Sequence, residues 1–203
     1  MDVRRVNRHA FSLAELLVVI AILVVLVGLL TPVFMRVKTR ASQTVCASNL
    51  RQQFVTLSLY RDACGGTDAP AFSPAMGLPP FFTERHVVPI LGPSAAQVVA
   101  LKCASPVGYP DGNRKPDYFA NWPICTPIPG INTLQVEAEQ QDWQAYVQRE
   151  GSGAIIMFDP NHQKHFPATN LSNQFAMGMT IAGGLKTRTR RGDCTNRLWW
   201  EGD

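Results

Sequence analysis

Four groups of side chains in this sequence could do chemistry. Asp159-Pro160-Asn161-His162-Gln163-Lys164-His165 puts a carboxylate and two imidazoles within seven positions, the residue types of an acid/base pair or of metal ligands. Histidines three apart share a face only on a helix, and Pro160 and Pro167 bracket the segment, so it reads as a loop of hydrogen-bonded polar residues. The five cysteines include no Cys-x-x-Cys pair, which argues against zinc and leaves no metal assigned. Lys186, Arg188 and Arg190 alternate with Thr187 and Thr189, which places three cations on one strand face, with Arg191 and Trp199-Trp200 nearby. Cations beside aromatics can hold single-stranded nucleic acid. The plainer reading, a strand edge kept from aggregating by its charge, is preferred. Finally, Glu15 lies just inside a long apolar run. An acid within a membrane span is costly and implies a function, whereas an acid at a helix start is favoured by the dipole.

The elements that carry these groups are unevenly distributed. The chain has 203 residues, a formal net charge of +4 and 17% charged residues, too short for a large multidomain enzyme and too weakly charged for charge-driven disorder. Phe11 to Met35 holds 20 apolar residues in 25, while 12 of the 15 prolines lie between Pro70 and Pro129. That proline-rich middle argues against long helices or central strands there.

Leu16 to Leu30 has no polar side chain, and a helix over Phe11 to Met35 would extend about 37 Å, more than a ~30 Å hydrocarbon core. Arg4, Arg5, Arg8 and His9 precede the run and Arg36, Lys38 and Arg40 follow it; the amino terminus is oriented inside. Leu30-Thr31-Pro32-Val33-Phe34 offers no small-residue cleavage site of the secretory type. Cys46 follows Val45, well beyond the run, so a lipoprotein signal does not fit either. After Pro32, Val37, Ala41, Val45, Leu50, Phe54 and Leu57 recur at helical spacing until Cys64-Gly65-Gly66. The pattern predicts one helix from Ser12 to Ala63, about 78 Å long.

A basic leader followed by Ala10-Phe11-Ser12-Leu13-Ala14-Glu15 and the apolar run resembles the amino-terminal segment of type IV prepilins and the pseudopilins of type II secretion. The resemblance covers residues 4 to about 60. It implies cleavage by a prepilin peptidase between Ala10 and Phe11 and methylation of the new Phe11 amine. Glu15 would then be the fifth residue of the mature chain and Pro32, a helix-kinking proline, the twenty-second. It further implies that Glu15 pairs with the amine of a neighbouring subunit during assembly. The partners implied are the peptidase, other pilin or pseudopilin subunits, an inner-membrane assembly platform and membrane lipid. The protein would be a single-pass inner-membrane protein, with its carboxy-terminal domain periplasmic or at the cell surface. No enzyme activity and no cofactor are expected.

The remainder reads as α+β, a long helix laid on a small antiparallel sheet, which agrees with the pilin fold. Short helices are expected over Ala95 to Leu101, with Ser94 as cap, and within Thr133 to Gln148, with Leu134, Val136, Trp143 and Val147 inward. Ala154 to Phe158 reads as a strand, and Gln174 to Ile181 with Leu185 to Arg191 as a hairpin around Gly183-Gly184. Cys103-Ala104 and Ala182-Gly183-Gly184 depart from a Cys-Pro pair and an Asp-Gly-His element common in similar pseudopilins. No dense acidic loop supports a calcium site. In an oxidising compartment Cys103 with Cys125 is the first disulfide expected and Cys64 with Cys194 the second, leaving Cys46 free. The expected layout is a leader at 1–10, a membrane or filament-core helix at 11–35, its continuation at 36–64 and a globular domain at 65–203. Two alternatives are carried: a minor pilin that binds DNA or a surface through Lys186, Arg188 and Arg190, and a single-span anchored hydrolase using Asp159 to His165.

Overall fold

Between Leu13 and Ala63 only Gly28 and Pro32 weaken an otherwise helix-forming sequence, and the stretch forms one helix, α1 (Leu13–Ala63). The computed structural model describes residues 13–66, 76–79, 81–103, 118–122, 133–160, 162, 173–192, 194 and 196–202. α1 stops where the sequence says it should. Gly65 adopts a left-handed φ of 67°, the Gly66 amide donates to the Arg61 carbonyl at 2.9 Å and the Gly65 amide to that of Asp62 at 3.4 Å. This is a Schellman cap, which satisfies carbonyls that the helix itself leaves open. The returning chain then crosses the cap closely. A Cβ at Gly77 would lie 2.6 Å from the Gly66 Cα, so both positions need glycine, and Arg61 Nε fixes the crossing by donating to the Met76 carbonyl at 3.0 Å.

The other elements are α2 (Glu84–Leu91), α3 (Ser94–Val99), β1 (Phe119–Ala120), α4 (Thr133–Glu150), β2 (Ile155–Asp159), β3 (Asn173–Thr180), β4 (Leu185–Arg191) and α5 (Arg197–Trp200). The strands form one antiparallel sheet in the order β1-β2-β3-β4. All five residues of β2 are buried, as its unbroken apolar run requires of a strand covered on both faces. Gly178 of β3 stands opposite Phe158. A Cβ there would come within 2.8 Å of Ile155 and 3.2 Å of Trp200, so the missing side chain is what lets these two meet over the sheet. The β3–β4 turn closes with the Thr180 amide donating to Gly184 O at 2.8 Å, and Gly183, at φ 83°, lies against the Phe54 ring of α1.

The described residues fall into two compact units, one ending at Ala41 and the other beginning at Ser42. Within the second unit, Cys46, Leu50 and Leu57 of α1, Trp143, Tyr146 and Val147 of α4, and β2 and β3 residues share one apolar cluster.

Three expectations are corrected. The inward stripe of α1 is Cys46, Leu50, Gln53, Leu57 and Arg61, whereas Val37 and Val45 are exposed; the stripe is displaced by about one residue from the most apolar line. Leu134 points outward, and Trp143 and Val147 carry the packing of α4. The disulfide joins Cys46 to Cys103, with Cα atoms 5.1 Å apart, not Cys103 to Cys125 or Cys64 to Cys194. The reason is geometric: Cys46 is on the buried face of α1, and Asn49 one turn on donates to the Lys102 carbonyl at 2.9 Å, which brings Cys103 alongside. Cys64 is exposed at the helix end and Cys194 is buried, its thiol 3.6 Å from Gln174 Oε1. Cys125 lies outside the described residues. α2, β1 and α5 were not anticipated, all being short or in proline-rich sequence.

The joint between α4 and the sheet is titratable. The Ile155 amide donates to the Tyr146 hydroxyl at 2.8 Å. Burial pushes that phenol up to about 12, partly offset by the Ile155 hydrogen bond. Because the folded value exceeds the unfolded one of about 10, the contribution is full below about pH 10 and is lost as the pH rises through about 12. Tyr146→Phe, followed by denaturant unfolding, is expected to lose about 1–3 kcal/mol at neutral pH and to show a smaller alkaline loss than wild type.

Candidate functional site

Four donor-bearing side chains, those of Cys46, Cys103, Asp159 and His162, meet at one end of β2. Asp159 closes the strand and is fully buried; His162, three residues on, places Nε2 3.3 Å from Asp159 Oδ2, with side chains 2% and 0% exposed. The same nitrogen lies 3.5 Å from Cys103 Sγ, and the His162 ring packs edge-on to Phe175. His162 and Asp159 are therefore turned into the protein rather than presented to a substrate. His165 lies outside the described residues.

The basic strand is occupied structurally. Arg188 Nη1 donates to the Trp200 carbonyl at 2.7 Å, and Arg190 Nη1 reaches the carbonyls of Glu201, Leu198 and Trp199 at 3.1, 3.4 and 3.4 Å. The Leu198 carbonyl also accepts from the Glu201 amide at 3.3 Å, while carbonyls at the end of a short helix otherwise depend on donors from outside it. In return, Trp199 Nε1 donates to the Arg190 carbonyl at 3.2 Å and Trp200 Nε1 to that of Cys194 at 2.9 Å. Both indoles are buried, so their faces are not free for base stacking. β4 is also an edge strand of the sheet, where charge guards against edge pairing.

The amino-terminal part of α1 has a different surface. From Leu13 to Val37 every large apolar side chain is between 46% and 81% exposed, on all sides of the helix. It is the one described helix long and apolar enough to cross a membrane. Glu15 sits in its first turn, where the positive end of the helix favours a carboxylate. Thr31 Oγ1 donates to the Val27 carbonyl at 2.7 Å, a bond that hides a hydroxyl within an apolar stretch. Pro32 lies inside α1; it has no amide to offer the Gly28 carbonyl, and the helix continues past it. Residues 5–31 match the family model described as the prokaryotic N-terminal methylation motif. This segment is a prepilin-type cleavage and methylation signal. No curated protein and no solved structure matches the chain.

The signal covers Ala10, Phe11 and Glu15 and ends one residue before Pro32. Ala10 and Phe11 lie outside the described residues. A prepilin-type signal leading into a long apolar helix, with a small antiparallel sheet behind it, fits an α+β pilin-like fold and a membrane-anchored, single-pass protein. What the sequence did not disclose is the meeting of Cys46 and Cys103 with Asp159 and His162, whose partners are distant in the chain. It also missed that the arginines of β4 hold α5; the alternation of cations with threonines signals a strand face, not its acceptors. Arg188→Ala should lower stability by about 1–3 kcal/mol, the loss of a charged hydrogen bond to a partly buried carbonyl, whereas Lys186→Ala should stay within about 0.5 kcal/mol of wild type. Thermal unfolding of the two variants side by side checks this.

Proposed function

We propose that this chain is a structural subunit of a type IV pilus or a type II secretion pseudopilus. A prepilin peptidase cleaves it between Ala10 and Phe11 and methylates the Phe11 amine, and an inner-membrane platform then assembles it with other subunits. The observation that supports this most directly is the processing signal at residues 5–31 leading into a helix whose apolar residues are exposed on every side. Such a surface needs lipid before assembly and neighbouring helices after it. The layout follows: residues 1–10 as leader, 11–35 as membrane and filament-core helix, 36–64 as its continuation, 65–203 as a domain on the far side of the membrane from the leader.

The leader carries three arginines and one aspartate, so its removal takes the formal charge from +4 to +2 and frees an amine at the membrane surface. In a bundle of apolar helices, Glu15 and the Phe11 amine of a neighbour compensate one another, and their pairing sets the axial stagger. Removing one member of such a pair commonly costs ~3–5 kcal/mol. Pro32 lets the helix bend between its two packing environments. Glu15→Leu is expected to be cleaved normally yet to be depleted from sheared filament or pseudopilus fractions when expressed with the assembly machinery. Incorporation at the wild-type level would contradict the role given to Glu15.

A further inference from the structure

Cys46, Cys103 and the Asp159–His162 pair come from three separate stretches of chain, yet one ligand atom from each of the four residues lies within 4.8 Å of all the others. Two sulfurs, an imidazole nitrogen and a carboxylate oxygen are the donors zinc accepts, and four is the number a closed tetrahedral site requires. The site is also built: Cys46 and Asp159 are fully buried, and the His162 side chain is 2% exposed. His162 Nε2 faces both Asp159 Oδ2, at 3.3 Å, and Cys103 Sγ, at 3.5 Å. One nitrogen turned toward a sulfur and a carboxylate together is the arrangement that ligands of a shared ion adopt. A tie needed only for cross-linking would use the two sulfurs and leave the acid and the imidazole elsewhere.

We propose that in its dithiol form the chain binds one zinc ion through Cys46, Cys103, Asp159 and His162. The two thiols lose their protons to solvent on binding, the imidazole ligates as its neutral form, and the ion joins α1, the segment after α3 and the end of β2 at one point. The cross-linked and metal-bound forms exclude each other, because the disulfide sulfurs are no longer thiolates. Conversion of the bound form to the disulfide needs a disulfide oxidant. Two thiolates pass two electrons to it, a sulfur–sulfur bond forms in the protein as one breaks in the oxidant, the oxidant's sulfurs take up two protons, and zinc leaves.

The test uses the full chain in detergent, reduced with a water-soluble phosphine, which takes the oxygen of one water as the disulfide gains two hydrogens. Cobalt(II) is then titrated without oxygen. The expected result is tetrahedral visible bands and a thiolate-to-cobalt charge-transfer band saturating at a single equivalent and displaced by zinc. Asp159→Asn and His162→Ala should each weaken binding by about tenfold or more, while Cys64→Ser and Cys194→Ser leave it unchanged. Absence of the bands in reduced wild type, their presence in the oxidised protein, or their persistence at full affinity in both Asp159→Asn and His162→Ala would overturn the proposal. The wild-type comparison of reduced with oxidised protein decides even where a variant does not fold.

Discussion

An apolar helical surface whose described side chains are exposed on every side is the constraint from which the rest follows. From Leu13 to Val37 the large side chains of α1 are all substantially exposed. Water cannot be their partner, since each fully exposed aliphatic side chain forgoes about 1.5–3 kcal/mol of burial. Lipid tails cover such a surface on all sides, and so do equivalent helices of other subunits. The processing signal at residues 5–31 and the proposed assembly role of Glu15 both belong to this helix, which in the proposed function moves between these two surroundings.

The carboxy-terminal part of the same helix obeys the opposite rule. Beyond Ser42 it buries one face, with Cys46, Ala47, Leu50, Gln53, Thr56, Leu57 and Arg61, and leaves Val45, Val55 and Leu59 exposed. The stripe is not purely apolar, and its polar members are tied to the chain that packs on them: Gln53 donates to the Val98 carbonyl at 3.4 Å and Arg61 to Met76. Around it, the glycines at 66, 77 and 178 allow close approach, and the β4 arginines fasten the last helix. The Cys46–Cys103 link closes a long loop, the kind of cross-link that typically adds ~2–4 kcal/mol.

How much of this the sequence disclosed depends on the range of each interaction. The bounds of α1, β2, the β3–β4 hairpin and most of α4 were legible because periodicity, caps and turn glycines act within a few residues. The processing signal was legible for the same reason, being a run of local residue types. The disulfide partners were not, because pairing depends on the rotational phase of α1, and the most apolar line, through Val37 and Val45, is not the line the domain covers. The sequence placed Asp159 and His162 together in a loop, whereas Asp159 ends β2, and the position of the pair against two cysteines depends on contacts across more than fifty residues of chain. The short helices α2 and α5 have too few residues to show a period at all.

The central claim is that residues 5–31 direct processing of this chain into an assembling subunit. Intact-mass and amino-terminal analysis of the membrane-extracted protein, with and without a co-expressed prepilin peptidase, tests it most directly. The account predicts a chain beginning at N-methylated Phe11 only when the peptidase is present; a chain still beginning at its original amino terminus in both preparations would contradict it.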